Sequence, residues 1–340
     1  MQLEDFLAQA RAEGRKESSG QFTIDLGRTL DKLREFQLRQ PAAYLLRLVQ
    51  SAVGLGARQL CLNIARSHTE VSFSLEACGR YGYLQEILEK LGDPFPPDTP
   101  LGHLTRALQS AMALDPPALR WRLENGERQE LLEFGGQTLK VTRHLKPAPV
   151  PGQPGVFRLE LERGWSWRGL LSRGAWSDEH AIVARHCRQA PLRLMIDGRE
   201  VEPYPLFEEG VRAMLMVTAP PRGLESGFVV PAPDPKLCSK LQLEDHRGNP
   251  LKAKAGEMLR CQYLLARYEG GDNKAWIEWF KNGLAVGVDM HQALGMPDVE
   301  AFCACERLAT DLSGLAAVED EVYGQQVARL KSLAQRLQAL

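Results

Sequence analysis

Hydrophobic residues recur at helical spacing in the stretch Tyr44–Val53, which has the sequence YLLRLVQSAV. The apolar side chains repeat every three or four residues, as on the buried face of an amphipathic helix: Leu45, Leu48, Val49, Ala52 and Val53. Arg47 and Ser51 fall on the opposite face of this predicted helix, and Gln50 falls on its flank. The GLG motif that follows at 54–56 predicts a helix end with a left-handed glycine cap.

Other segments of the first half of the chain predict paired strands and two further helices. RQLCLNIA and EVSFSLE alternate apolar and polar residues, as half-buried paired strands do. YLQEILEKL and LGHLTRALQSAMAL have helical spacing and are separated by the proline-rich loop DPFPPDTP. Three more strand-like stretches, LRWRLEN, QELLEF and QTLKVTRHL, lead to a second proline-rich loop, KPAPVPGQPG. These elements together predict one α/β domain.

The polar linker near the N-terminus and the proline-rich loop KPAPVPGQPG predict that the chain has three parts. We expect a short helix and a polar linker over residues 1–19, a first domain over residues 20–146, and a second α/β domain over residues 155–340. Within the second domain, WIEWFKNGLAVGV predicts a hairpin that turns at Asn282-Gly283. The segment from Glu319 to Leu340 predicts a helix that packs on its own domain through Tyr323, Val327, Leu330, Ala334 and Leu337.

Composition and charge exclude several classes of protein. The chain has 340 residues, 44% hydrophobic and 25% charged, which is ordinary globular composition. Its 42 basic and 43 acidic residues give a net charge of −1, so neither nucleic acid nor an anionic membrane is an expected partner. No apolar run is long enough for a membrane span, and the N-terminus does not resemble a secretory signal, so we expect a cytoplasmic protein.

No familiar catalytic or metal motif is present. The seven cysteines form no CxxC pair, and the chain has no P-loop, dinucleotide-binding, GxSxG or HExxH motif. Cys303 and Cys305 would share one face of a strand, where we expect two core thiols rather than a metal or redox site. The histidines, including His103, lack ligand spacing and are predicted to be surface residues or hydrogen-bonded within the fold.

The order of elements resembles the GHKL superfamily of ATPases, and within it heat-shock protein 90 of the HtpG type. The resemblance covers about residues 20–330 and implies an α+β fold. This fold would be a two-layer α/β sandwich of the GHKL (Bergerat) type, followed by an α/β domain like that chaperone's middle domain. The segment that begins at Trp165, WSWRGLLSRGAWSDEHAIVARHCRQAPLRLMIDGREV, resembles the start of the middle domain.

The resemblance implies a nucleotide site whose key residues are altered. Where the family has a catalytic glutamate and, four residues later, a magnesium-orienting asparagine, this chain has Leu46 and Gln50. Gln50 is then a candidate nucleotide-binding residue; the alternative is a half-exposed helix residue without a ligand. Val156 stands at the position of a threonine near adenine. Gly314 or Leu315 stands where the family's arginine reaches the terminal phosphate.

Three further positions complete the implied site. Glu76, close to Gly79, is the candidate carboxylate for the adenine amine, although a small shift of the alignment places Ala77 or Cys78 there. Gly102 corresponds to a phosphate-lid glycine; its alternative is a glycine at a helix start. Any nucleotide bound would be ATP or ADP with Mg²⁺, and no resident cofactor is firmly implied.

Two functions are compatible with these residues. The first is a non-hydrolysing scaffold or chaperone-like module that binds other proteins and is a monomer or weak dimer. The second is an active ATP-dependent chaperone, or another GHKL ATPase, that uses residues the alignment misplaces. The loss of the catalytic glutamate and the phosphate arginine favours the first, because removing such an arginine alone slows phosphoryl transfer by roughly 10³- to 10⁵-fold.

Overall fold

The structure is a computed structural model. It describes residues 42–75, 83–93, 96–124, 128–135, 138–145, 155–163, 175–207, 210–221, 226–234, 236, 238, 240–268, 275–290, 294, 298–311 and 314–340. The predicted N-terminal helix and linker, and the candidate residues Glu76 and Gly79, lie outside these ranges.

The described residues form five α-helices and fifteen strands. The helices are α1 (Ala43–Gly54), α2 (Tyr83–Lys90), α3 (Pro100–Ala113), α4 (Ala175–His186) and α5 (Glu321–Ala339). Strands of the first half are β1 (Gln59–Ile64), β2 (His68–Leu75), β3 (Leu119–Glu124), β4 (Arg128–Gly135), β5 (Thr138–Leu145), β6 (Gly155–Glu162), β7 (Arg193–Ile196) and β8 (Arg199–Glu200). Those of the second half are β9 (Val211–Thr218), β10 (Phe228–Pro231), β11 (Lys240–Glu244), β12 (Met258–Tyr268), β13 (Trp276–Lys281), β14 (Leu284–Met290) and β15 (Val299–Ala304).

The first sheet has the strand order β5-β4-β3-β6-β2-β1-β7-β8. Neighbouring strands are antiparallel except β1 and β7, which run parallel. Helix α4 connects β6 to β7. Strand β6 lies between β2 and β3, and β7 extends the sheet beyond β1. The sheet therefore continues across the expected domain division between residues 146 and 155. The segment that resembles the start of a middle domain supplies α4, β7 and β8.

The second sheet has the order β11-β9-β12-β15-β13-β14, with β10 paired to β12. Its hairpin β13–β14 turns at Asn282 and Gly283, whose φ angles of 47° and 78° are the positive values that a type I′ turn requires. This confirms the predicted hairpin. The α+β fold class, with two sheets and packed helices, is also confirmed.

One hydrophobic core joins the first sheet, the helices and one face of the second sheet. Helix α5 packs on β9, β12 and β15 of the second sheet, as predicted. The side chains expected to face that sheet are all buried: Tyr323, Val327, Leu330, Ala334 and Leu337. Cys303 and Cys305 are buried in the same core, as predicted. No helix among the described residues is long and apolar enough to cross a membrane.

Helix α1 is buried on both faces. It ends as expected, because Gly56 has φ 75° and the Ala57 amide donates to the Ala52 carbonyl across the cap. The residues on its polar side are also buried, since Arg47 is 9% exposed and Ser51 is 0% exposed. Helix α1 therefore has no face that is fully exposed to solvent. This burial results from tertiary packing, because α3 and β14 of the second sheet pack against α1.

Candidate functional site

Polar and charged side chains collect where α1, the N-terminal end of α3 and the β13–β14 turn meet. We call this group the junction cluster: Arg47, Gln50, Asp98, His103, Arg106, Lys281 and Asn282. Most of these groups are withdrawn from solvent, but the side chain of Asp98 is 43% exposed. The cluster therefore reaches the surface at a carboxylate.

The start of α3 fixes one side of the junction cluster. Thr99 is the N-cap, and its hydroxyl accepts a hydrogen bond from the Gly102 amide at 3.1 Å, while Pro100 occupies the first helical position. A Cβ on Gly102 would lie 2.9 Å from the carbonyl carbon of Pro97 and closer still to its oxygen. Gly102 is therefore needed for close approach of the loop, and its N–H is already engaged by the cap.

Lys281 brings the second sheet into the junction cluster. It is the last residue of β13, and its side chain is only 2% exposed. Its ammonium donates to the carboxylate of Asp98 and to the carbonyl oxygen of Leu308. A buried ammonium without an anion would be strongly destabilising, and Asp98 supplies a directly bonded compensating charge.

His103 is buried at 1% exposure beside this ion pair. Its Nε2 lies 3.2 Å from Asp98 Oδ1 and 3.1 Å from the side-chain nitrogen of Asn282. Burial lowers the pKa of His103 to about 3, although the Asp98 carboxylate opposes this shift. The imidazole is therefore neutral near pH 7, and Lys281 with Arg106 balances the charge of Asp98.

Arg47 links α1 to the loop after β15. Its Nη1 donates to Gln50 Oε1 at 2.9 Å, and its guanidinium lies against the backbone of Gly314. Burial, followed by repulsion from Arg106, lowers the pKa of Arg47 to about 10, so it stays charged at pH 7. The guanidinium next to Gly314 thus comes from α1, across the junction, and not from the loop in which the resemblance places an arginine.

The structure brings Gln50 and Gly102 to the same junction but separates other expected positions from it. Gln50 is 1% exposed, so the interpretation as a half-exposed residue is wrong. Leu46 is 2% exposed within the core. Val156 is 40% exposed, on the face of the sheet opposite to Phe157, which stacks on Phe73 in the core with ring centroids 4.5 Å apart. Val156 is therefore not part of the junction cluster, and its position near adenine stays a prediction.

Two central residues of the junction cluster were not singled out from the sequence. Asp98 stands in a DTP segment, whose capping threonine and proline mark a helix start. Lys281 stands next to the turn of a strong hairpin. Those signals place each residue at the end of an element, but nothing local pairs two residues that are 183 positions apart.

The arrangement can hold negative charge but offers little for catalysis. Three cationic side chains, Arg47, Arg106 and Lys281, surround a carboxylate at the surface. Helix α1 carries no aspartate or glutamate. Within the described ranges, no group of three or more His, Cys, Asp or Glu residues could hold a metal ion.

No protein-family model matches this chain, and no curated protein matches its sequence. Among solved structures, the chain is similar to the B-subunit of the DNA gyrase from Myxococcus xanthus, with 13% identity and a TM-score of 0.49, over 89% of this chain and 94% of that one. It is also similar to the ATPase region of Saccharomyces cerevisiae topoisomerase II, with 10% identity and a TM-score of 0.40, over 86% and 83%. At these values the similarities assign neither a family nor an activity to this chain.

Proposed function

We propose that this chain is a GHKL-like protein, related in its pattern to heat-shock protein 90, that does not hydrolyse ATP and serves as a protein-binding scaffold. The observation that carries the proposal is the state of α1. Leu46 stands at the position that corresponds to the family's catalytic glutamate, and it is buried in the core with 2% of its surface exposed. Helix α1 has no aspartate or glutamate at any other position that could activate water.

The phosphate side of the expected site supports the same function. The amide of Gly102 donates to Thr99, so it is not directed at a ligand. Gln50 accepts a hydrogen bond from Arg47. Lys281 is bonded to Asp98. Groups that could contact Mg²⁺ or a phosphate are thus engaged with one another.

The size of the rate factors that depend on the missing residues favours a complete loss of ATP turnover over slow turnover. General acid–base catalysis contributes roughly 10²- to 10⁴-fold, and a phosphate-contacting arginine roughly 10³- to 10⁵-fold. A protein that lacks the base loses the first factor even if Arg47 substitutes for the missing loop arginine, and it loses both factors if Arg47 does not. Other proteins are the proposed partners, in the cytoplasm, because the near-neutral charge disfavours nucleic acid and membrane.

A second candidate is nucleotide binding, with or without hydrolysis. The observation that favours it is the set of three cations at the junction, Arg47, Arg106 and Lys281. In that case ATP or ADP with Mg²⁺ would bind near Gln50 and Gly102.

Hydrolysis and nucleotide binding can be measured on the full chain. We expect no phosphate release from Mg-ATP above background, no recovery in Leu46→Glu, and no heat of binding with Mg-ATP or Mg-ADP in calorimetry. Gln325→Ala, on an exposed position of α5, is the matched control for Gln50→Ala. ATP hydrolysis by the wild type that Gln50→Ala abolishes and Gln325→Ala preserves would replace the scaffold proposal with the ATPase one.

Sedimentation of the full chain tests the expected monomer or weak dimer. A tight dimer at low micromolar concentration would contradict it.

A further inference from the structure

The carboxylate of Asp98 occupies an unusual position for a residue in a surface loop. It forms an ion pair with Lys281, and Oδ1 lies 3.8 Å from Arg106 Nη1 and 3.2 Å from His103 Nε2. It also directly precedes Thr99, the N-cap of α3, whose first amides carry partial positive charge. Every one of these neighbours favours a negative charge at this point.

Exposure is distributed unevenly within this group. The side chain of Asp98 is 43% exposed, whereas Lys281 is 2% exposed and Arg106 is 26% exposed. The carboxylate thus stands at the solvent side, with the cations behind it. Partial burial opposes its ionisation, but the hydrogen bond from Lys281 and the neighbouring charges lower the pKa of Asp98, so it is ionised at neutral pH.

The β13–β14 turn, which carries Lys281, is also held by contacts with other elements. A Cβ on Gly283, next to Asn282, would lie 2.9 Å from Pro191 Cδ and 3.0 Å from Val53 Cγ2, so the hairpin turn is in close contact with α1 and the α4–β7 connection. Lys281 also donates to the carbonyl oxygen of Leu308. The turn is therefore held in place by contacts that do not involve Asp98.

We propose that Asp98 is a built-in anionic ligand: its carboxylate occupies an anion site formed by Lys281 and Arg106, beside His103. The site is thereby closed to external anions, and the loop before α3 is attached to the second sheet without any bound molecule. The ligand class that fits in place of the carboxylate is a small oxyanion such as inorganic phosphate. An attached carboxylate competes at high effective concentration, so the wild-type chain does not bind phosphate there.

The proposal concerns the same junction as the proposed function, but it does not depend on the outcome for ATP. It predicts an anion site that opens when Asp98 is removed, whether or not a nucleotide is ever hydrolysed. Phosphate binding by Asp98→Ala is therefore measured separately from ATP turnover by the wild type.

The experiment compares four full-length proteins: wild type, Asp98→Ala, Asp98→Ala with Lys281→Met, and Glu200→Ala. Glu200 pairs with Arg193 on the surface of the first sheet and serves as the matched control for loss of an ion-paired carboxylate. Calorimetric titration with inorganic phosphate is run against sodium chloride at equal ionic strength. We expect Asp98→Ala to bind phosphate at least about tenfold more tightly than the wild type and Glu200→Ala, and the double variant to lose this gain.

Two results would overturn the proposal. One is a folded Asp98→Ala protein that binds phosphate no better than the wild type, and the other is a gain that Lys281→Met leaves unchanged. If Asp98→Ala does not fold, the isosteric Asp98→Asn takes its place. Folding of Asp98→Asn that is promoted by phosphate but not by chloride supports the proposal, and folding that is insensitive to phosphate contradicts it.

Discussion

The guanidinium of Arg47, on α1, lies against the backbone of Gly314, in the loop that follows β15. A side chain on Gly314 would place its Cβ 2.6 Å from Arg47 Cζ, and Gly314 has a φ of 73°. Both the space and the backbone conformation at this position therefore favour glycine. Arg47, on a helix that packs against the first sheet, thus limits the size of the side chain at position 314 in the second half of the chain.

Gly314→Ala should lower the free energy of unfolding by about 2–4 kcal/mol, through the left-handed backbone and the collision with Arg47. Gly248→Ala is the matched control, because Gly248 has φ 86° but no heavy atom within 4 Å of an added Cβ. It should cost only the backbone term, about 1–2 kcal/mol. Urea denaturation measures both, and equal losses would mean that Arg47 yields easily.

Glu179→Leu should destabilise the chain by about 3–5 kcal/mol, because it leaves the partly buried guanidinium of Arg163 and the buried hydroxyls of Tyr44 and Thr69 without their acceptor. The Glu179 carboxylate accepts hydrogen bonds from Tyr44 at 2.8 Å and Thr69 at 2.7 Å, and it pairs with Arg163. It therefore connects α4, α1 and the first sheet. Chemical denaturation measures the loss.

Tyr44→Phe separates the hydrogen bond from the charge in the same cluster. Burial and then the Glu179 carboxylate raise the pKa of Tyr44 well above its ordinary value, so the phenol remains a donor. Its removal should cost about 1.5–3 kcal/mol. Glu162→Gln, which weakens an exposed pair with Arg120, should cost at most about 1 kcal/mol. A Tyr44→Phe protein as stable as the wild type would show that this bond contributes nothing net.

Elements with strong local signals were predictable from the sequence. The hairpin at Asn282-Gly283 requires positive φ at both turn residues, and asparagine followed by glycine is the dipeptide that tolerates it. The helix Glu321–Ala339 has its apolar residues on one side and an aspartate at its N-cap. In both cases the information lies within a few residues of the element.

Contacts between distant residues could not be predicted in this way. The helical spacing places Arg47 on the polar side of α1, but the sequence does not show which element covers that side. The pair of Asp98 and Lys281 joins residues 183 positions apart. Val156 is a different case, since Phe157 and Leu159 alternate with Arg158 and place Val156 on the same side of the strand as Arg158.

Glu278→Gln should make stability less dependent on pH. Burial, followed by repulsion from Glu300, raises the pKa of Glu278 to about 7, and Tyr268 hydrogen-bonds to Glu300 at 2.7 Å. A carboxyl with a raised pKa binds its proton more tightly in the folded state, so the wild type loses stability as pH rises from about 4.5 to 7. The variant should avoid this loss and gain about 1–3 kcal/mol at pH 8.

The pH effect of Glu278 can be checked by thermal and urea unfolding at pH 5 and pH 8. The difference between variant and wild type should be small at pH 5 and large at pH 8. Glu200→Gln, which changes an exposed carboxylate of the first sheet, should not show this pattern. A constant difference at both pH values would contradict the assignment to Glu278.

Leu330→Ala should cost about 2–5 kcal/mol, because Leu330 is 0% exposed between α5 and the second sheet. Arg329→Ala, at the neighbouring exposed position of the same helix, should change stability by no more than about 0.5 kcal/mol. Circular dichroism during denaturation distinguishes them. Similar small effects for both variants would mean that α5 is not part of the cooperative core.

The position of β6 has a practical consequence for dissecting this protein. Because β6 is hydrogen-bonded to β2 on one side and β3 on the other, a recombinant fragment that stops at residue 146 would lack the strand that joins the two halves of its sheet. The exposed backbone edges of β2 and β3 would then be free to pair with other molecules, and such fragments should aggregate. A fragment that extends past β8 retains the strand order through Glu200 and is the better choice for expression of the first sheet.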